Sequence, residues 1–204
     1  MTALLARAGA ELAATSPEEL VSVLLNLAYS VLAIRRSRAC WLAGGLGSAI
    51  LIHLAWQSRL PMQAALQVYY VAVSIYGWWC WTREEQVDGR PTVSTWPLRY
   101  HLLACVAIVA VSVLSATWLA AETRAAWPFL DSISTWGSLF ATWLVARVKL
   151  ENWLYWLAID SLQAYLFAAQ GLPLFAVLSI IYLGCSVVGF ARWLRTLRQP
   201  VAIQ

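Results

Sequence analysis

Asn152, Trp156, Asp160 and Gln163 follow one another at intervals of four, four and three residues inside KLENWLYWLAIDSLQAY, residues 149–165. At about 100° per residue, the turn of an α-helix, these four share an arc of roughly 80°, with Trp153 on its flank. Leu154, Leu162, Tyr165 and Leu166 point elsewhere. One face therefore carries a carboxylate, two amides and two indoles. Amides fix the polar edges of a ligand, indole faces stack on flat rings and attract cations, and a carboxylate offsets positive charge. The set suits a flat ring bearing hydroxyls, with or without a positive charge. Catalytic readings find less support. His53 and His101, the only histidines, lie on different segments without a partner at i+4, and the sequence has no HExxH, GxSxG, P-loop or Cys/His cluster. No catalytic residue, metal site or cofactor is expected. His53 reads as a core or cavity residue and His101 as a membrane-edge residue. The four cysteines, Cys40, Cys80, Cys105 and Cys185, are scattered and read as small hydrophobes.

Similar stripes recur along the chain. Gln63, Gln67, Tyr70, Ser74, Gly77 and Trp81 follow the i, i+4, i+7, i+11 pattern of one helix face; Ser22, Asn26 and Ser30 line up at intervals of four, and so do Ser134, Ser138 and Thr142. Polar stripes on four helices suggest one polar cavity. The plainer alternative for the Ser and Thr positions is hydrogen bonding between neighbouring helices. Trp78, Trp79, Trp96, Trp127 and Trp193 lie near segment ends, where interfacial aromatic belts form.

The elements that must position these residues are membrane helices. The chain of 204 residues is 61% hydrophobic and 12% charged, with a mean hydropathy of +0.66, whereas soluble domains carry about a quarter charged residues. Seven apolar runs near the ~20 residues needed to cross a bilayer cover about 17–34, 39–57, 61–82, 98–120, 127–146, 152–170 and 173–194. Backbone satisfaction in lipid makes them helical. A charge at the bilayer centre costs about 2.5–3.5 kcal/mol, so Asp160 must face a bundle interior or a polar path. Eleven basic residues fall on one side, including Arg35, Arg36, Arg38, Arg147, Lys149, Arg192, Arg195 and Arg198; Arg7, Arg59 and Arg124 fall on the other. The positive-inside rule then puts the N-terminus outside and the C-terminus in the cytoplasm. Glu18 and Glu19 precede the first run and the arginines follow it, the reverse of a signal peptide. Net charge of +4 sits at helix ends and needs no nucleic-acid partner.

A shift of 112 residues lays LPMQAALQVYYVAVSIYGWWCWTR, from Leu60, over LPLFAVLSIIYLGCSVVGFARWLR, from Leu172. Pro61/Pro173, Tyr70/Tyr182, Ser74/Ser186, Gly77/Gly189, Trp81/Trp193 and Arg83/Arg195 coincide, as do Trp41/Trp153 and Arg35/Arg147 upstream. The expected organisation is a lead-in at 1–16, a three-helix repeat at 17–82, a loop and linker helix at 83–126, a second repeat at 127–195 and a tail at 196–204. Parallel repeats around a linker helix are a transporter architecture, with the substrate site near the midplane. Gly77 and Gly189 are expected points of close packing or bending.

Three stretches resemble the PnuC family of bacterial vitamin transporters: RVKLENWLYWLAID (147–160), LQVYYVAVSIYGWWCWTR (66–83) and RRSRACWLAGGLGSAI (35–50). ENWLYW and IYGWW are the specific motifs, and the likeness runs from Ser16 to Arg195. The resemblance implies an all-α, seven-helix, SWEET-like protomer that assembles as a homotrimer in the bacterial inner membrane. It also implies facilitated diffusion of nicotinamide riboside, with trapping by a cytosolic kinase that feeds NAD synthesis. Carried over residue by residue, Trp153, Trp156, Asn152 and Gln67 would contact substrate. Asp160, Tyr70, Gln63 and Asn26 join them from the helical wheels. Many family members have an acidic residue where this chain has Gln63, which bears on selectivity. The rival within transport is thiamine or another B vitamin; the rivals outside it are a membrane enzyme, which lacks an acid–base pair or nucleophile, and a scaffold, which has little use for a polar arc in lipid.

Overall fold

The computed structural model describes residues 9, 15–57, 61–83, 86–87, 89–122 and 127–198. The remainder of the expected lead-in, with Arg7, and also Arg59, Arg124 and tail residues 199–204, lie outside the described residues. Each of the seven apolar runs forms one helix: α1 (Pro17–Ile34), α2 (Ala39–Gln57), α3 (Pro61–Arg83), α4 (Leu98–Glu122), α5 (Pro128–Ala146), α6 (Asn152–Ala169) and α7 (Pro173–Arg198). A short antiparallel pair, β1 (Gln86–Val87) and β2 (Arg90–Pro91), lies between α3 and α4.

Local chemistry sets the boundaries. Ser16 accepts from the Glu19 N–H while Glu19 bonds back to the Ser16 N–H, a reciprocal cap that starts α1 with Pro17 in its first turn. Pro128 opens α5 in the same first-turn position. Both α1 and α5 end in a left-handed residue, Arg36 at φ 55° and Val148 at φ 51°, and these positions are equivalent in the 112-residue register. Four helices, α1, α2, α4 and α7, are long and apolar enough to span a bilayer by composition alone. The other three, α3, α5 and α6, carry three of the polar stripes. Outward-facing side chains are apolar: on α4, Leu98, Leu103, Val106 and Leu114 are exposed, which is a lipid-facing surface.

Within each repeat the helices pack in sequence order, α1 on α2 and α2 on α3, then α5 on α6 and α6 on α7. The linker helix α4 packs against α5, and the repeats meet through α3 with α5 and α1 with α7. The meeting point is a pair of crossed bonds. The Trp81 indole N–H donates to the Val145 carbonyl and the Trp193 indole N–H to the Ala33 carbonyl, each at 3.2 Å. Donors and acceptors are both 112 residues apart, and the two indoles stand 6.4 Å from each other. The C-terminal ends of α1, α3, α5 and α7 therefore lie together at one end of the bundle, about a local pseudo-twofold axis. Trp193 is fully buried here; it is a core residue and not part of an interfacial belt, because this axis sinks the ends of α3 and α7 into the interior.

The segment before α4 laces both repeat loops together. Arg36 donates to the Pro91 carbonyl at 2.8 Å. Ser94 N–H donates to the Val148 carbonyl, and the Leu150 N–H returns to the Ser94 carbonyl. Glu151 accepts from the Trp96 N–H at 2.9 Å and lies 3.7 Å from His101, which also bonds the Tyr155 hydroxyl. His53, in contrast, is exposed and pairs with Gln57 one turn on, so it is neither core nor cavity.

Candidate functional site

A cavity of about 340 Å³ lies on the axis between the two repeats. Six helices line it: α1, α2 and α3 from one repeat and α5, α6 and α7 from the other. Many of its walls come in pairs 112 residues apart: Asn26 with Ser138, Ser30 with Thr142, Trp41 with Trp153, Tyr70 with Tyr182 and Ser74 with Ser186. Past the Trp41/Trp153 pair, the pairing breaks on α2 and α6. Where α2 supplies Gly44, Ser48 and Leu51, α6 supplies Trp156, Asp160 and Gln163. One wall thus leaves room and the facing wall presents an indole, a carboxylate and an amide. A ligand held here must lie asymmetrically, against α6.

At the arginine-rich end the cavity is floored by tryptophans. Trp41 is buried, packed edge-on to Trp81 with ring centroids 5.4 Å apart, and Trp153 stands edge-on to Trp193 at the same 5.4 Å. Each lies flat on a glycine. A Cβ built on Gly189 would stand 2.6 Å from two ring atoms of Trp153, and one built on Gly77 would press on Trp41 more closely still. These glycines are points of close packing, and a side chain at either would drive an indole toward the cavity.

Six of the eight residues expected to bind substrate line this cavity: Trp153, Trp156, Gln67, Asp160, Tyr70 and Asn26. Gln67 and Asp160 are buried, at 6% and 3% exposure, so their polarity is directed inward. The Ser186 hydroxyl donates to Asp160 Oδ2 at 3.0 Å, joining α6 to α7. Ser30 and Thr142 donate to carbonyls one turn back on their own helices, as Asn26 does through Nδ2. All three residues line the cavity, so hydrogen bonding within the helix and cavity lining are compatible.

Two residues stand apart. Asn152 is fully buried, but its Nδ2 donates to the Lys149 carbonyl at 2.6 Å and it does not line the cavity. It is the first residue of α6, and helical side chains lean toward the N-terminus, which carries its amide into the loop below Trp153. Gln63, one turn before Gln67 on α3, is exposed and also outside the cavity wall.

Other lining residues escaped the helical wheels: Tyr29, Trp41, Ser48, Tyr182 and Cys185. The repeat held the signal for three of them, since Trp41, Ser48 and Tyr182 are the counterparts of Trp153, Asp160 and Tyr70. The Tyr29 hydroxyl and the Trp41 and Trp153 indole N–H groups are buried with no hydrogen-bond partner among the described residues. Buried polar atoms are normally paired, and these three all belong to residues that line the cavity. No group of three or more His, Cys, Asp or Glu that could hold a metal occurs among the described residues.

Comparison with known proteins agrees with this architecture. Residues 16–195 match the nicotinamide mononucleotide transporter family. The riboflavin/roseoflavin transporter RibM of Streptomyces davaonensis is 30% identical over 187 residues, covering 88% of this chain and 86% of that protein. The nicotinamide riboside transporter PnuC of Escherichia coli is 26% identical over 170 residues, 71% of each chain. A crystal structure of the vitamin B3 transporter PnuC superposes with a TM-score of 0.74 at 21% identity, covering 96% of this chain and 90% of that one. With its seven helices and lipid-facing apolar surface, the chain is a multi-pass protein of the bacterial inner membrane and belongs to the PnuC-type nicotinamide mononucleotide transporter family of vitamin transporters.

Proposed function

We propose that this protein carries nicotinamide riboside into the cell by facilitated diffusion, with phosphorylation by a cytosolic kinase retaining the product. The observation that carries this reading is Asp160. Among the described residues it is the one acidic or basic side chain lining the cavity, and it stands among Trp156, Tyr70 and Tyr182. A carboxylate beside aromatic faces favours a flat cation, and nicotinamide riboside is an N-substituted pyridinium. In this reading the ring rests by Trp153 and Trp156, Gln67 and Asn26 bond polar edges, and Asp160 offsets the ring charge or bonds the ribose. Asn152 supports Trp153 from the loop below. By the positive-inside rule the arginine-rich end faces the cytoplasm, and assembly as a homotrimer belongs to the same proposal.

A second reading is riboflavin transport, which the RibM likeness favours. Its ring system is neutral, so Asp160 would act only as a hydrogen-bonding group. Tryptophan-fluorescence titration of the purified protein with nicotinamide riboside, riboflavin and thiamine separates the readings. Saturable binding of the riboside, weakened about tenfold or more by Asp160→Asn as befits loss of a charged partner, supports the proposal. Binding of riboflavin alone, indifferent to that substitution, overturns it and selects the second reading.

A further inference from the structure

Beyond the tryptophan floor, at the shared end of α1 and α7, lies a second cleft of about 410 Å³. Five guanidinium-bearing residues line it: Arg35 and Arg36 after α1, Arg90 on β2, and Arg192 and Arg195 on α7. Two ordinary explanations account for some of this charge. Helix C-termini carry about −0.5 elementary charge each, so two of them offset only about one positive charge. Topology signals need basic residues on one side of the membrane, but not their convergence on one cleft.

The repeat sharpens the point. Arg36 and Arg192 correspond to Val148 and Cys80, both buried and uncharged, so these two arginines are not a property of the fold. Where arginines do recur, the other copies have partners. Arg147 donates to the Tyr76 hydroxyl at 3.4 Å and Arg83 lies over the Trp79 ring at 4.5 Å. In the cleft, Arg36 holds the Pro91 carbonyl, while the side chains of Arg35, Arg90, Arg192 and Arg195 have no hydrogen bond or ion pair among the described residues. Four unpaired guanidinium forks around one hollow match a group with several anionic oxygens, and planar forks bind phosphate bidentately.

We propose that this cleft binds a phosphate group, borne by an anionic lipid headgroup or by a soluble phosphate monoester. Bound there, it bridges the end of α1 to the end of α7, next to the Trp193–Ala33 bond, and so braces the junction between the repeats. The chemistry is the same for both sources, and the proposal is independent of the transported vitamin.

The test is thermal unfolding of the full-length protein in two settings. One is a neutral detergent with inorganic phosphate titrated against chloride at matched ionic strength. The other is nanodiscs of phosphatidylglycerol compared with phosphatidylcholine. Arg192→Gln/Arg195→Gln removes the cleft's α7 side, and Arg83→Gln/Arg99→Gln removes equal charge outside it. A saturable rise in unfolding temperature with phosphate assigns a soluble monoester, and a rise confined to phosphatidylglycerol assigns a lipid. In either case the cleft variant should need about tenfold more ligand or lose the rise, while the charge-matched variant keeps it. No rise in either setting, or equal loss in both variants, overturns the proposal.

Discussion

Gly189→Ala adds one methyl group at a place where the floor of the cavity leaves none. The new Cβ would stand 2.6 Å from two Trp153 ring atoms and 2.7 Å from a third, whereas carbon atoms prefer about 3.5–4.0 Å. The indole must retreat by about 1 Å. It cannot retreat toward Trp193, whose ring already packs against it at 5.4 Å and 90° and which is itself fully buried. The direction left is into the cavity. Overpacking of this kind costs about 1–3 kcal/mol, and at about 2–4 °C per kcal/mol for a chain of this size the unfolding temperature should fall by several degrees. The displaced ring also narrows the site on the α6 side, so ligand affinity should fall about tenfold or more. Unfolding followed by intrinsic fluorescence, together with ligand titration of the same preparation, reads both effects. Wild-type affinity with a lowered unfolding temperature would show that Trp153 yields away from the cavity. Wild-type values for both would refute the packing argument altogether.

Other outcomes follow from the same geometry. Asn152→Ala should lower stability by about 1–3 kcal/mol, because it removes a buried amide bonded to the Lys149 carbonyl, and should leave ligand affinity within about twofold; a large affinity loss at unchanged stability would mean that the amide reaches the ligand. Trp81→Phe and Trp193→Phe should each cost at least about 1 kcal/mol for the lost indole bond and should do so about equally; a strong inequality in chemical or thermal unfolding would contradict the local symmetry. Cys185 lines the cavity, whereas Cys40 and Cys80 are buried and Cys105 is exposed on α4. In a Cys105→Ser background a small maleimide should therefore modify Cys185, and bound vitamin should slow that reaction; labelling at the same rate with and without ligand would remove Cys185 from the occupied site.

The sequence made the helices legible because each is an apolar run bounded by Pro, by a polar cap or by an arginine cluster, and bilayer thickness fixes its length. Asp160 and Gln67 were legible for the complementary reason: polarity inside such a run has to face inward. Asn152 lies outside the cavity wall, which a helical wheel does not show because it reports angle and not depth. In the first turn a side chain leans back past the end of its helix, and the arc shared with Trp156 does not translate into a shared cavity. Gln63, one turn before Gln67 on α3, lies outside the cavity wall for the same reason. Trp193 resembled an interfacial residue because its distance from the segment end is a property of one helix, whereas its burial depends on a neighbour 112 residues away. The arginine cleft escaped notice because β2 brings Arg90 beside α1 and α7 only in three dimensions, and charge counting by side of the membrane treats all eleven basic residues alike.

The crossed bonds from Trp81 to Val145 and from Trp193 to Ala33 also bear on how the molecule is made. Synthesis runs from the N-terminus, and domains that emerge first begin to fold first. When α1–α3 have entered the bilayer, Trp81 still lacks its acceptor, which the ribosome adds only with α5, and Trp193, the donor to Ala33, arrives near the very end of the chain. Until then neither crossed bond can form, because each joins an indole of one half to a carbonyl of the other. Closure of the floor is thus a late event of biogenesis that requires both halves at once. A chain truncated before α7 would leave one of the two bonds unmade and mark itself as unfinished.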